Sequence, residues 1–234
     1  MAKTTEKRSE CAACRLANGL RIVQHPSPSD VTYCGYVVDA GTRDELPDEA
    51  GMAHFVEHLL FKGTIHRKAW HILNRMERVG GDLNAYTSKE ETTIYSTFLS
   101  RDFQRAAELL TDIVFHSTFP PGEIEKETEV IADEIQSYLD SPAEQIYDDF
   151  EALIFPGHPL GRNILGDART LRTFSSRQAL RFTQTYYRPE NALFFLYGNI
   201  PLSRIRRTLE RLTADLGSLP PPPLAPQKRT PPPD

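Results

Sequence analysis

The chain has 234 residues, 39% of them apolar, and a formal net charge of −5 at pH 7. A chain of this length and composition can bury one good hydrophobic core or two small ones. The acidic balance argues against a nucleic-acid partner, and no run reaches the roughly 18 apolar residues of a membrane span. We therefore expect a soluble protein with neither a nucleic-acid nor a membrane partner.

The two ends of the chain differ in composition from its centre. Residues 1–10 are polar and charged. They lack the apolar stretch of a signal peptide, so we expect a flexible tail and a cytoplasmic location. Residues 218–234 are rich in proline, which predicts a stiff, extended linker. Residues 11–217 would form one domain, and because a linker needs something to connect, we expect a further segment after Asp234.

Six segments have the composition or the alternation of β-strands. They cover residues 11–16, 20–24, 31–39, 82–87, 91–99 and 192–198. The first two flank Ala17-Asn18-Gly19, and Asn-Gly is a strong signal for the tight turn of a hairpin. The segment at 82–87 is short and polar, which suits the edge of a sheet rather than its middle.

Seven segments show helical spacing of apolar residues or begin and end at helix signals. They cover residues 52–62, 68–79, 103–116, 122–138, 143–155, 175–187 and 202–216. The expected fold class is α+β, with a mostly antiparallel (mixed) sheet of five to six strands packed with helices.

The first predicted helix carries His54, Glu57 and His58. Imidazoles four residues apart lie one above the other on a helix, and a residue three after the first shares their face. Two stacked imidazoles beside a carboxylate can bind a metal ion and supply a base next to it. This is H-x-x-E-H, the reversed form of a zinc-protease signature, although three such residues can also share a face by chance. The other histidines lie outside any ligand spacing and are expected to be surface or capping residues: His25, His66, His71, His116 and His158.

The predicted helix at 122–138 is unusually acidic and offers a third ligand. A catalytic zinc site keeps three protein ligands and one open position. Glu127 and Glu134 are two helical turns apart and lie on one face, so one could bind the metal while the other orients a ligand. Glu123, Glu125 and Glu129 are expected to form a solvated face.

Together these residues resemble the inverzincin peptidases, a family that includes pitrilysin, insulin-degrading enzyme and mitochondrial processing peptidase. The resemblance begins with His54-Phe55-Val56-Glu57-His58 and Glu134. It continues, in family order, through residues 51–53, 61–64, 80–87, 130–134, 159–166 and 186–191. It covers about residues 12–217.

The resemblance implies roles for individual residues. His54, His58 and Glu134 would bind one zinc ion, Glu57 would be the general base, and Glu127 would support a ligand. The implied activity is that of a zinc-dependent metalloendopeptidase, in which Glu57 activates a zinc-bound water for hydrolysis of a peptide bond. The edge strand around Asn84 and Ala85 matches the edge to which these enzymes add a peptide or unfolded polypeptide substrate as an extra strand.

The chain departs from the family in length. Active members pair this domain with a similarly folded second half in a clam-shell arrangement, and that half supplies an arginine and a tyrosine that polarise the scissile carbonyl. Neither residue can be placed here. The implied partner is a second homologous half, in the same longer chain or in a partner subunit, with a homodimer as a further arrangement. The alternative function is a metal-binding but non-catalytic half or interaction subunit that needs a partner half for activity. A third interpretation is a small zinc-binding domain with no hydrolytic role.

Overall fold

The computed structural model describes residues 11–223 together with Pro226, Arg229 and Pro231. The predicted tail at residues 1–10 lies outside the described residues. So do most of the linker residues that follow residue 223. None of the helices in the described part of the chain is long and apolar enough to cross a membrane. The expected domain boundaries and cytoplasmic location stay predictions.

Six strands form one mixed sheet in the order β1-β2-β6-β3-β5-β4. They are β1 Ala12–Arg15, β2 Arg21–Pro26, β3 Val31–Val38, β4 Asp82–Thr87, β5 Thr92–Leu99 and β6 Ala192–Gly198. β2 and β6 are parallel, and the other neighbouring pairs are antiparallel. The predicted α+β class and mostly antiparallel sheet are confirmed, and so is the prediction that the strand at 82–87 lies at an edge.

Eight α-helices lie in the described residues. They are α1 Met52–Leu60, α2 Ala69–Glu77, α3 Phe103–Phe115, α4 Pro121–Leu139, α5 Pro142–Ile154, α6 Ala168–Leu171, α7 Ser176–Tyr186 and α8 Leu202–Leu212. Seven of them were predicted. Helix α6 was not predicted, because four residues are too few for a helical pattern. Its one local signal is Asp167, whose side chain accepts hydrogen bonds from the first N–H groups of the helix.

The core lies where α3 packs on the central strands β3 and β5. Tyr36 is fully buried there and packs edge to face against Phe115 and Phe194. Such aromatic pairs contribute about 0.5–1.5 kcal/mol beyond the area they bury. The Tyr36 hydroxyl lies 2.8 Å from Thr111 Oγ1, so its polar end has a partner inside the core. This packing fixes the sheet whose far edge is β4.

Helix α1 begins at a glycine and is capped by a buried carboxylate. Gly51 has φ 93°, and a side chain there would meet the Leu165 carbonyl oxygen at 2.7 Å. Glu45 accepts hydrogen bonds from the N–H groups of Gly51 at 3.0 Å and Ala53 at 2.9 Å. A helix leaves its first N–H groups without partners inside the helix, and Glu45 satisfies this need from outside it. The cap therefore fixes where the helix starts and how its histidines are placed.

Replacing Glu45 by alanine removes the acceptor of these two buried N–H groups. We expect the free energy of unfolding to fall by about 2–6 kcal/mol, because each of the two buried donors left unsatisfied costs about 1–3 kcal/mol. Glu45→Gln keeps one oxygen as an acceptor and should lose less. Denaturant unfolding of the three chains measures both differences. Wild-type stability in the alanine variant would contradict the capping role.

Candidate metal centre

Three predicted ligands from two helices converge on one point. His54 and His58 lie on α1, and their Nε2 atoms are 3.2 Å apart. Glu134 Oε2, from α4, lies 3.3 Å from His58 Nε2 and 3.8 Å from His54 Nε2. Ligand atoms around a tetrahedral zinc ion, each at about 2.0–2.1 Å from the metal, are roughly 3.3 Å apart. Two imidazole nitrogens and one carboxylate oxygen at these separations fit a zinc ion with one open position.

The two histidines are held in different electrostatic environments. Burial, followed by the charge of His58, lowers the pKa of His54 to about 3, so its imidazole is neutral near pH 7. Burial also acts to lower the pKa of His58, but its hydrogen bond to Glu127 and the charge of Glu134 outweigh this and raise it. A metal ligand must give up the proton on its binding nitrogen. His54 is therefore ready for a metal, whereas His58 must lose any proton on Nε2.

Glu127 and Glu134 occupy different positions. Their spacing along the helix had left open which of them binds the metal and which orients a ligand. Glu127 Oε1 lies 3.0 Å from His58 Nδ1, on the side of the ring away from Glu134, and its Oε2 lies 2.6 Å from Lys62 Nζ. A carboxylate only accepts hydrogen bonds, so His58 Nδ1 carries a proton and Nε2 is the nitrogen left to bind a metal. The Glu127 side chain is 8% exposed and that of Glu134 is 44% exposed. Despite burial, the bonds from His58 and Lys62 lower the pKa of Glu127.

Glu57 lies at the wall of a cavity of about 480 Å³ beside these ligands. Burial raises its pKa, although hydrogen bonds with Thr87 and the charge of His58 act in the opposite direction. The cavity is lined by α1, α4, α5, the edge strand β4 and the loop at residues 163–165. Among the described residues that line it, four are carboxylates and none is a lysine or arginine: Glu57, Glu134, Glu144 and Asp148. Such a negative cavity favours a cation.

The predicted substrate residues on β4 differ in their positions. Ala85 lines the cavity, together with Tyr86 and Thr87. Asn84 is exposed and is not among the described residues that line it. The Asn84 side-chain oxygen instead accepts a hydrogen bond from the Ala85 N–H, at 2.9 Å. Asn84 therefore covers a main-chain donor of the edge strand.

Sequence reasoning missed several residues of the site. Lys62 follows His58 by four positions, so helical spacing could have indicated it. Thr87 bonds Glu57, and its position at the end of the edge strand was a weak signal. Asp148 had no local signal: it accepts hydrogen bonds from Lys89 and Asn163, each at 3.0 Å, and from the Tyr138 hydroxyl. These bonds fix the cavity wall formed by α5.

Comparisons with known proteins place the chain among peptidases. The insulinase family (peptidase family M16) matches residues 21–168, and the M16 inactive domain matches residues 173–234. An uncharacterized zinc protease of Rickettsia bellii is 38% identical over 203 residues, which are 86% of this chain and 49% of that protein. The β subunit of the rat mitochondrial-processing peptidase is 35% identical over 185 residues, which are 79% of this chain and 38% of the subunit.

The fold has close counterparts among solved structures. A protease from Helicobacter pylori superposes with a TM-score of 0.85 over 92% of this chain and 53% of its own, at 24% identity. This likeness concerns the fold alone. The chain spans about half the length of the first of these curated relatives. The resemblance to the inverzincin peptidases is confirmed, and the chain belongs to the insulinase family of peptidases, family M16.

Proposed function

We propose that this chain is the catalytic half of a zinc-dependent endopeptidase. The observation that carries the proposal is the convergence of the ligand atoms of His54, His58 and Glu134 beside the cavity wall that contains Glu57. The first three residues would hold one zinc ion, and Glu127 would orient His58. The Rickettsia bellii relative is named a zinc protease, which supports the choice of metal.

The chemistry divides between the metal and Glu57. A zinc ion bound here would lower the pKa of a water to about 7 and polarise the scissile carbonyl. Glu57 would take the proton of the attacking water and later pass it to the leaving amine. A general base works best when its pKa is close to the working pH, and burial moves the Glu57 pKa in this direction.

The substrate would bind along the edge strand. β4 ends the sheet and contributes Ala85 to the cavity, so an extended peptide added to this edge would pass the ligand cluster. Main-chain hydrogen bonds give such binding its affinity with little dependence on sequence. We assign Ala85 to main-chain contact and Asn84 to a side-chain contact, which it makes by turning away from the Ala85 N–H.

A second homologous half would complete the site. The relatives are about twice as long as this chain, and the described lining of the cavity contains no lysine or arginine. Helix α5, which forms one wall, exposes Ile146, Tyr147 and Leu153. Exposed apolar patches of this kind mark interaction surfaces, which supports the second half as the partner, whether it lies in the same chain, a different subunit or a second copy.

One observation favours the alternative function, a non-catalytic half that serves as an interaction subunit. Residues 173–234 match the inactive domain of the family. Residues 21–168, which contain every proposed ligand and the base, match the peptidase domain instead. The chemistry of the site therefore supports the catalytic half.

Glu57→Gln tests the mechanism. We expect the variant to bind as much zinc as the wild type does, because Glu57 is not a proposed ligand. Cleavage of a fluorogenic peptide should fall by about 10²–10⁴-fold, which is the usual contribution of a general base. The assay is run on the chain alone and with its second half, and Glu129→Gln, an exposed change on α4, serves as the control. Wild-type cleavage by Glu57→Gln would contradict the mechanism, and an inactive wild type in every assembly would favour the interaction subunit.

Glu134→Gln and Glu127→Gln test the ligand assignment. Loss of an orienting partner weakens metal binding about 10–100-fold, so we expect a loss in this range for Glu127→Gln and a larger one for Glu134→Gln. Competition with a chromophoric chelator measures the zinc dissociation constants, and Glu129→Gln on the same helix should leave them unchanged. The reverse order of the two losses would show that the roles are exchanged.

Asn84→Ala tests the substrate contact. A single hydrogen bond contributes about 0.5–1.5 kcal/mol, so we expect KM for an extended peptide to rise about 2–10-fold while the zinc content stays the same. Asn74→Ala, which changes an asparagine on α2 that bonds within its own helix, is the matched control. A KM equal to that of the wild type would mean that Asn84 makes no side-chain contact with the peptide.

A further inference from the structure

A second group of metal-binding side chains lies outside the candidate zinc centre and shares none of its residues. His66 lies in the loop after α1, while Asp112 and His116 lie at the end of α3. One ligand atom from each of the three lies within 4.8 Å of the other two. Asp112 Oδ1 is 2.6 Å from His66 Nδ1 and 3.7 Å from His116 Nδ1. These two distances bracket the roughly 3.3 Å between ligand atoms on a tetrahedral zinc ion.

His116 has one ring nitrogen that lacks a hydrogen-bond partner. Its Nε2 lies 2.9 Å from Asp215 Oδ2, and because a carboxylate only accepts, Nε2 carries a proton. Its Nδ1 is buried and has no hydrogen-bond partner. The nearest acidic atom, Asp112 Oδ1, is too distant for a hydrogen bond. A histidine held by a carboxylate on one nitrogen, with the other directed at a shared point, is the usual arrangement of a metal ligand.

Asp112 divides its two oxygens between different partners. Oδ2 accepts hydrogen bonds from the Thr64 hydroxyl, at 2.8 Å, and from Arg67. Arg67 also pairs with Glu108, so its charge is shared between two carboxylates. Oδ1 faces the two imidazoles. Asp112 is 3% exposed, and a buried carboxylate with its position fixed on one side can offer the other oxygen to an ion.

The backbone holds the two histidine segments together. The Ile65 N–H donates to the His116 carbonyl oxygen at 3.0 Å, and Thr64 pairs with Ser117 in an antiparallel bridge. The Thr64 hydroxyl also accepts from the His66 N–H, at 3.1 Å. The loop and the end of α3 are therefore fixed before any ion binds, which limits the ordering that binding would require.

We propose that His66 Nδ1, Asp112 Oδ1 and His116 Nδ1 bind a second divalent metal ion of the zinc type, with Asp215 orienting His116. Two imidazoles and one carboxylate suit zinc rather than magnesium or calcium, which prefer oxygen ligands. The ion replaces the His66–Asp112 hydrogen bond and supplies the missing partner of His116 Nδ1. Because it joins the loop to α3, its binding stabilises the folded chain.

Calorimetric titration of the metal-free chain with zinc tests this site. We expect two zinc ions per wild-type chain and one per His66→Ala chain, since His66 is exposed and its loss leaves the fold intact. His71→Ala removes an exposed histidine of the same region and should keep two. In the His54→Ala/His58→Ala double variant the remaining zinc should bind, and adding His66→Ala should weaken it at least tenfold. Loss of all zinc binding in a folded His54→Ala/His58→Ala chain, or equal binding by His66→Ala and His71→Ala, would overturn the proposal.

A second measurement covers the case in which the double variant fails to fold. Long-range ¹H–¹⁵N correlation spectra of the wild-type chain report which nitrogen of each histidine carries a proton. Saturating zinc should shift His116 Nδ1 to a metal-bound position while Nε2 keeps its proton, and it should do so in Glu134→Gln as well. An unchanged His116 signal would overturn the proposal without affecting the proposed peptidase function.

Discussion

The hydrogen bond between His58 Nδ1 and Glu127 Oε1 joins α1 to α4, and the ligand cluster depends on it. Glu127 is nearly buried, so its charge needs the partners that His58 and Lys62 provide. Removing one partner of a buried ion pair typically costs about 3–5 kcal/mol. The same bond turns His58 so that its other nitrogen meets His54 and Glu134. One contact between two helices thus sets both their packing and the direction of a ligand.

This contact works because α1 is held on its remaining sides. Its apolar residues are buried against α7, β4 and α4, and its first turn is capped by Glu45. Side chains on a packed helix have few rotamers available, so a site built there is more precise than one on a loop. Glu57 gains its position in the same way, with Thr87 of the edge strand as its partner. The proposed base, the proposed ligands and the proposed substrate edge are therefore fixed relative to each other by the core.

Local periodicity predicted most helices and strands and the ligand motif. It could not predict which residues distant in the sequence lie close together in the fold. The sequence showed that Glu127 and Glu134 share a face, but at 3.6 residues per turn two positions seven apart point almost the same way. Which of the two carboxylates lies at the metal position depends on how far α4 is shifted along its axis relative to α1. The insertion of β6 between β2 and β3 likewise follows from packing, not from any local pattern. His66 is exposed and His116 is the C-cap residue of α3, as expected of surface or capping residues. No local pattern showed that the fold brings their distant segments together.

The composition of the cavity bears on the proposal that this chain holds the metal ligands and the base while a second half supplies the rest of the active site. The described lining supplies four carboxylates and the His54 imidazole but no lysine or arginine, so negative charge developing on a scissile carbonyl would meet no cationic lysine or arginine there. Removing one oxyanion-stabilising donor from a protease slows catalysis by about 10²–10³-fold. A chain with its metal and base in place would therefore be slow when alone, and the second half would accelerate it. An interaction subunit, by contrast, would show no turnover that depends on Glu57. The dependence of any residual rate on Glu57 is thus what separates the two functions.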